Sequence, residues 1–186
     1  VNKLNIPYAP TWASFDLFTS DDQLNVGSFG MYATRHGNFS VENCDLLIIL
    51  GSRLNGTLTG SKKLIFSGKS KKIHVDIDEH ELNLGDGFEV DIKFNSDVKL
   101  FLERLLNTDI KLNNFDEWKK QINLWKEKYP IIQEEYKNQT KNVNPYLFFD
   151  KLSELTREGD IIIPDASANL VWTYQAYKSK KNQKIF

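Results

Sequence analysis

The sequence predicts an α/β fold: a three-layer, mostly parallel sheet with helices on both faces, followed by an incomplete second α/β unit. Short apolar runs rich in β-branched residues alternate along the chain with segments of helical periodicity, which is typical of βαβ units. The run Leu46–Leu50 is continuously apolar, as expected of a parallel strand that is buried on both faces. Helices would then cover both faces of the sheet.

Four short segments have the composition of strands. They are Leu46–Leu50, Ile73–Ile77, Phe88–Phe94 and Ile161–Ile163. A helix is predicted after Ser96, which is a good N-cap. Its apolar residues recur at helical spacing and form one stripe: Val98, Phe101, Leu102, Leu105 and Leu106.

A second helix carries apolar residues at alternating spacings of three and four, and Pro130 ends it. These residues are Phe115, Trp118, Ile122, Trp125 and Tyr129. The polar stretch 131–144 reads as a linker. A new helix begins with Asn144 as N-cap and Pro145 at its first position, and continues towards Gly159.

The C-terminal part adds the strand Ile161–Ile163, a helical segment from Asn169 to Tyr177, and the start of another strand at Lys184–Phe186. We therefore expect a central domain at residues 1–108, a helical linker at 109–144 and the beginning of a second domain at 145–186. By itself, the last segment has too little material for a core of its own.

Length and charge restrict the function. The 186 residues suit one domain or one and a half. Because 24 basic and 25 acidic residues give a net charge of −1, a nucleic-acid partner is not expected. No apolar run is long enough to cross a bilayer. One cysteine, Cys44, and no secretory signal favour the cytoplasm. The start without methionine suggests a segment of a longer protein.

Polar residues at two strand ends are candidates for ligand binding, because open parallel sheets bind ligands outside the carboxyl ends of their strands. Asp76 and Asp78 could accept hydrogen bonds from ribose hydroxyls, or could simply cap the next turn. Together with His80 they could also be taken for metal ligands, but hard-metal sites usually recruit more carboxylates. Arg53, after Gly51, could pair with an anion or be a solvated cation.

A Gly-Asp-Gly sequence at 85–87 is followed by Asn113-Asn114. Asp and Asn oxygens at such spacing can hold a hard cation, but a Mg²⁺–diphosphate motif needs an apolar strand before it and a helix after it. The flanking residues do not offer this context, so we interpret 85–87 as a turn. No metal ligands and no catalytic residues are predicted in this chain, and surface or packing roles are expected for its histidines.

Several stretches resemble the central domain of thiamine diphosphate-dependent enzymes of the acetolactate synthase group. The order and the gaps match as well. The stretches are Val26–Tyr32, Val41–Arg53, Lys72–Asp78 and the helix that begins at Ser96. The segment from Asn144 to Trp172 resembles the opening of the diphosphate-binding domain of the same enzymes.

The resemblance implies a Rossmann-like central domain within a larger enzyme of three α/β domains. The full-length enzyme would use thiamine diphosphate and Mg²⁺, and the central domain would hold FAD, ADP or no nucleotide. The positions that match the family's nucleotide-binding residues are Gly30, Met31, Tyr32, Ser52, Arg53, Asp76, Ile77, Asp78 and Asp97. Ser167 and Asn169 match positions that contact the cofactor diphosphate.

The chain departs from the family pattern at several of these places. Two acidic residues and an arginine usually follow Arg53 closely, where this chain has Asn55, Gly56 and Thr57. Ala33 replaces a glycine, and Ala168 offers no side-chain donor between Ser167 and Asn169.

The function implied by the resemblance is that of an enzyme acting on a 2-oxo acid such as pyruvate, by carboligation or by decarboxylation. The alternative is a non-catalytic nucleotide-binding module or a structural spacer. The expected partners are the remaining domains of the same chain and further copies of it in a homodimer or homotetramer. This segment alone is expected to be inactive.

Overall fold

The computed structural model describes residues 2–61, 65–83, 88–110 and 114–186. The chain divides into two compact units, one formed by Val1–Asn38 with Phe115–Phe186 and the other by Phe39–Asn114. The domain boundaries expected from the sequence, at 108 and 144, stay a prediction. The turn predicted at 85–87 lies outside the described residues, as does Asn113.

The unit Phe39–Asn114 contains a parallel sheet of three strands in the order β1-β2-β3 among its described residues. The strands are β1 (Leu46–Leu50), β2 (Lys71–Asp76) and β3 (Ile92–Asn95). Ile48 aligns with Ile73, and Val75 aligns with Phe94. Helices flank the sheet: α2 (Gly56–Thr59), α3 (Glu79–Leu82) and α4 (Val98–Asn107). The predicted α/β class with a parallel sheet is confirmed.

Burial in this sheet differs from the expectation for β1. Leu46 and Leu50 are exposed, whereas Ile49 is buried. The expectation that β1 is buried on both faces is wrong for these positions: Leu46 and Leu50 lie on one face of the strand and Ile49 on the other. The central strand β2 holds the only fully buried apolar side chain among the described strand residues, Val75.

The ends of the predicted elements shift by a few residues. The second strand begins at Lys71 and ends at Asp76, and the third covers Ile92–Asn95. The helix predicted after Ser96 forms as α4, but its cap is Asp97, whose Oδ1 accepts hydrogen bonds from the Lys99 and Leu100 N–H groups at 2.8 and 3.2 Å. A carboxylate is an equally good cap and carries the charge that a helix N-terminus favours.

The other unit is mainly helical. It contains α5 (Asp116–Lys128), α6 (Glu134–Lys137), α7 (Pro145–Leu155), α8 (Ala168–Ala176) and two short 3₁₀ helices, Asn2–Leu4 and Trp12–Leu17. The helix α1 (Arg35–Asn43) begins in this unit and ends in the other. Asn144 caps α7 as predicted, and α5 ends before Pro130. The polar stretch 131–144, which was predicted to be a linker, contains the single helical turn α6.

Two short parallel strands, β4 (Ile161–Ile162) and β5 (Lys184–Ile185), belong to the same unit. Beside them, Phe15 packs with Tyr177 and Ile185 in a buried cluster. The C-terminal strands therefore share a core with the 3₁₀ helix Trp12–Leu17. This shared core buries apolar area that residues 145–186 alone do not offer. No helix among the described residues has the length and apolar content to cross a membrane.

Candidate functional site

The carboxyl edge of the three-stranded sheet brings together six of the predicted site residues. Three turns follow β1, β2 and β3 at this edge, and each carries at least one polar side chain. The residues are Ser52 and Arg53 after β1, Asp76, Ile77 and Asp78 at the end of β2, and Asp97 after β3. We call this group the carboxyl-edge cluster.

The turn after β1 is fixed by backbone contacts. The Gly51 N–H donates to the Val75 carbonyl at 2.9 Å, and the φ of Gly51 is +57°, which glycine adopts without steric cost. The Ser52 carbonyl accepts a hydrogen bond from His74 Nε2 at 3.0 Å. Leu54 is 3% exposed and anchors the chain beyond the turn. These contacts therefore fix the backbone of the turn that carries Arg53.

The turn after β2 is organised by two aspartates. Asp76 is buried, and its Oδ1 accepts a hydrogen bond from the Asp78 N–H at 2.9 Å. Asp78 caps α3 by accepting from the His80 N–H at 2.9 Å. Among the described residues none donates a hydrogen bond to Oδ2 of Asp76, so this oxygen keeps its capacity to accept one. Ile77 between them is 74% exposed and contributes an apolar surface.

The guanidinium of Arg53 faces two carboxylates. It lies 3.7 Å from Asp78 Oδ2 and 3.5 Å from Glu81 Oε1. Its side chain is 71% exposed, and ion pairs in such exposed positions contribute little to stability. Arg53 can therefore turn towards a bound anion at a small cost.

The charges of the cluster favour hydroxyl groups over phosphates. Asp76, Asp78, Glu81 and Asp97 supply four carboxylates, against two cations, the guanidinium of Arg53 and the ammonium of Lys93, which aligns with His74 on the neighbouring strand. His74 adds no charge at neutral pH, because burial lowers its pKa. Carboxylates accept hydrogen bonds from ribose hydroxyls but repel phosphate oxygens. The edge therefore fits the sugar of a nucleotide better than its phosphates.

The predicted residues Gly30, Met31 and Tyr32 lie in the other compact unit. Asn38 holds this loop with both atoms of its amide: Oδ1 accepts from the Gly30 N–H at 2.7 Å, and Nδ2 donates to the Gly30 carbonyl at 3.0 Å. Gln175 Nε2 donates to the Tyr32 carbonyl at 2.6 Å. The side chains of Met31 and Tyr32 are exposed, so the loop has a fixed backbone and accessible side chains.

Ser167 and Asn169 also belong to this second unit. Ser167 caps α8, and its Oγ lies 3.4 Å from both Asp165 Oδ2 and the Asn169 nitrogen. Both residues are exposed. Their contact with a cofactor diphosphate stays a prediction, and the nearby Asp165 carboxylate opposes an anion at this position.

Each unit contains polar residues that hold predicted site residues in place and that no sequence motif identifies. His74 ties the turn of Arg53 to β2, and Asn38 and Gln175 hold the loop at Gly30–Tyr32. One signal was present in the sequence: Lys72, His74 and Asp76 alternate with apolar residues along β2, which is the period of a strand with one polar face. All three are buried.

A metal site is not formed by the described residues: they contain no group of three or more His, Cys, Asp or Glu that could hold an ion. Mg²⁺ needs several oxygen ligands in octahedral geometry. The described residues of this chain thus do not fit the Mg²⁺ that the family resemblance implies.

The described sheet and its flanking helices define an α/β domain with a parallel sheet, and a comparison with known families gives the class. Residues 1–105 match the family described as thiamine pyrophosphate enzyme, central domain. The chain belongs to this family.

Several curated relatives are acetolactate synthases by name. The chain is 30% identical over 186 residues to acetolactate synthase 1, chloroplastic, of Zea mays, covering 97% of this chain and 28% of the relative. It is 30% identical over 187 residues to the chloroplastic enzyme of Arabidopsis thaliana, covering 97% of this chain and 27% of that protein. The acetolactate synthase large subunit of Cyanidium caldarium is 29% identical over 186 residues, again 97% of this chain and 31% of the relative. The chain spans less than a third of the length of these relatives.

Proposed function

We propose that this chain is the central part of a thiamine diphosphate-dependent enzyme that acts on a 2-oxo acid, with acetolactate synthase-like carboligation of pyruvate as the leading reaction. Membership of the central-domain family and the names of the relatives support this proposal. Thiamine diphosphate, when bound with Mg²⁺, supplies the electron sink for loss of carbon dioxide from the 2-oxo acid. The ligands for both would come from residues other than those described here.

Within that enzyme, we propose that this segment holds a nucleotide, FAD or ADP, at the carboxyl-edge cluster. The observation that carries the proposal is the convergence of Arg53, Asp76 and Asp78 at the ends of adjacent parallel strands, where α/β sheets bind ligands. Asp76 would accept from a ribose hydroxyl through Oδ2. Because carboxylates outnumber cations at this edge, ADP or the adenosine end of FAD fits best with its ribose on Asp76 and its phosphates towards the exposed guanidinium of Arg53.

Calorimetric titration of the purified chain with FAD, ADP and ATP tests the nucleotide site. We expect micromolar binding of at least one of the three, weakened about tenfold or more by Arg53→Ala, since loss of a charge-assisted contact costs about 1.5–3 kcal/mol. Lys69→Ala is the matched control: it removes the same charge from an exposed residue before β2, at the opposite edge of the sheet. Its affinity should equal that of the unchanged chain.

The rival function is a structural spacer without a ligand. Absence of binding for all three nucleotides would favour the spacer. An equal loss of affinity in the Arg53 and Lys69 variants would contradict binding at the carboxyl-edge cluster. A catalytic test is separate: the chain alone should not turn over pyruvate with thiamine diphosphate and Mg²⁺, and measurable carboligation by it would contradict the proposed division of labour.

A 2-oxo acid decarboxylase is a second candidate reaction from the same family. The full-length protein separates the two, because carboligation of pyruvate yields acetolactate and decarboxylation yields acetaldehyde. A homodimer or homotetramer of the full-length protein, with the other domains of the chain as its main partners, is part of the proposal. Cytoplasmic location stays a prediction, and the relatives from Zea mays and Arabidopsis thaliana are chloroplastic by name.

A further inference from the structure

The sequence contains a single Asn-Gly pair, Asn55-Gly56, and the structure leaves it open to solvent. Both residues are exposed. A Cβ built on Gly56 would meet no atom within 4 Å beyond its chain neighbours and the backbone of its own helix, so no distant part of the described chain covers this position. Asn residues followed by glycine are chemically labile, because a residue without a Cβ lets its backbone nitrogen approach the preceding side chain.

The Asn55 amide is held beside the backbone of the next residues. Its Oδ1 accepts hydrogen bonds from the Thr57 N–H at 3.1 Å and from the Thr57 hydroxyl at 2.5 Å. Two donors at this oxygen draw electrons from the amide carbon and stabilise negative charge on the oxygen when a nucleophile adds.

The Gly56 N–H is not used by the fold. It occupies the first position of α2, where N–H groups have no partner within the helix, and it donates to no described acceptor. Because α2 has only four residues, local opening of this turn costs little free energy. The nitrogen that would attack is therefore accessible.

We propose that Asn55 is a site of spontaneous deamidation. The Gly56 nitrogen forms a bond to the Asn55 amide carbon and gives its proton to solvent, and the side-chain nitrogen leaves as ammonia, which closes a five-membered succinimide. Water then adds to one of the two succinimide carbonyls and opens the ring to aspartate or isoaspartate. The net change is gain of water and loss of ammonia.

The two products differ in their effect on α2. Aspartate is as good an N-cap as asparagine, so α2 persists. Isoaspartate inserts a methylene into the backbone and moves the carboxylate out of the capping position. Either product adds one negative charge two residues after Arg53, in a cluster that is already acidic.

Mass spectrometry of the purified chain during incubation at mildly alkaline pH tests the proposal. Trypsin releases Asn55 in the peptide 54–62 and Asn107, an exposed asparagine followed by threonine, in the peptide 105–111. Replacement of the amide NH₂ by OH increases the mass of a peptide. We expect this increase to appear in the peptide 54–62 at least about tenfold faster than in the peptide 105–111. Two product peaks should appear, for aspartate and isoaspartate.

Gly56→Ala is the decisive variant, because alanine fits the open helical position and slightly favours the helix. It should slow deamidation of Asn55 by roughly tenfold or more while the thermal midpoint stays equal or rises, since only the added Cβ hinders the attack. Equal rates for Asn55 and Asn107 in the unchanged chain, or an unchanged Asn55 rate in the Gly56 variant, would overturn the proposal.

Discussion

His74 Nε2 lies 3.0 Å from the Ser52 carbonyl oxygen. Since a carbonyl only accepts, the imidazole must donate from Nε2, and this fixes its tautomer. The bond joins the central strand β2 to the turn that presents Arg53. His74 is 4% exposed, and burial lowers its pKa, while the hydrogen bond to Ser52 and the charges of Asp76 and Glu81 oppose that shift. A buried neutral histidine thus sets the spacing of two turns in the carboxyl-edge cluster.

Replacing His74 by leucine should loosen the turn after β1. The Ser52 carbonyl loses its donor, and we expect the free energy of unfolding to fall by about 1–2 kcal/mol in urea titrations. His74→Gln retains a donor on a side chain of similar reach and should recover part of the loss. A leucine variant as stable as the unchanged chain would show that the bond has no structural role.

Two variants of Asp78 distinguish its role as a helix cap from its proposed role in ligand binding. Asp78→Ala removes the cap of α3 and should lower stability by about 1 kcal/mol, whereas Asp78→Asn keeps a capping oxygen and should cost only a few tenths. If Asp78 contacts a nucleotide through its charge, both variants should weaken binding in the calorimetric titration. Weakening in Asp78→Ala alone would assign the effect to loss of the cap.

Asn38 should contribute more to the free energy of unfolding than an ordinary surface asparagine does. Its amide makes two hydrogen bonds to the Gly30 backbone, so Asn38→Ala is expected to cost about 1–3 kcal/mol. Asn43, on the same helix α1, makes one exposed bond to the Phe39 carbonyl. Asn43→Ala should stay within about 0.5 kcal/mol of the unchanged chain. If urea unfolding shows similar losses of stability for both variants, the proposed role of Asn38 in fixing the Gly30 backbone is contradicted.

Gly27 combines positive φ with close neighbours. Its φ is +89°, and an added Cβ would lie 2.5 Å from Thr34 Oγ1 and 2.7 Å from His36 Nε2. Gly60 has a φ of +75° with open space around the Cβ position. Gly60→Ala should therefore cost only backbone strain, about 1–3 kcal/mol, and Gly27→Ala at least about 1 kcal/mol more because of the clash. Thermal denaturation of the two variants measures the difference.

His36 should make stability depend on pH. Burial, assisted by the charge of Lys126, lowers its pKa from 6.5 to about 4. The unfolded chain therefore binds a proton in a range where the folded chain does not, and stability is full above pH 6.5 and falls as the pH drops towards about 4.

The variant His36→Gln removes this proton uptake and should flatten the decline of the free energy of unfolding over that range. His80→Gln, which replaces an exposed histidine, should leave the decline unchanged. An equal decline in the unchanged chain and the His36 variant would refute the assignment to His36.

The fold class and most elements were readable from the sequence, because strand and helix periodicity are local properties of the chain. A run of apolar residues predicted β1. Pro130 predicted the end of α5, and Asn144 with Pro145 predicted the start of α7. The ends of elements were less well predicted: Asp97 rather than Ser96 caps α4, because Ser and Asp are equally good caps and sequence alone does not choose between neighbours.

Chain order also put Arg53 and Asp76 at the carboxyl ends of successive strands, so their position at one edge was predictable from a parallel sheet. The contacts that position them were not. His74 reaches Ser52 across 22 residues, Asn38 reaches back to Gly30, and Phe15 packs with Tyr177 and Ile185 from the far end of the chain. Composition and periodicity determine which residues can be buried, whereas tertiary packing decides which distant polar groups become partners, because a buried donor or acceptor must find one wherever the chain brings it.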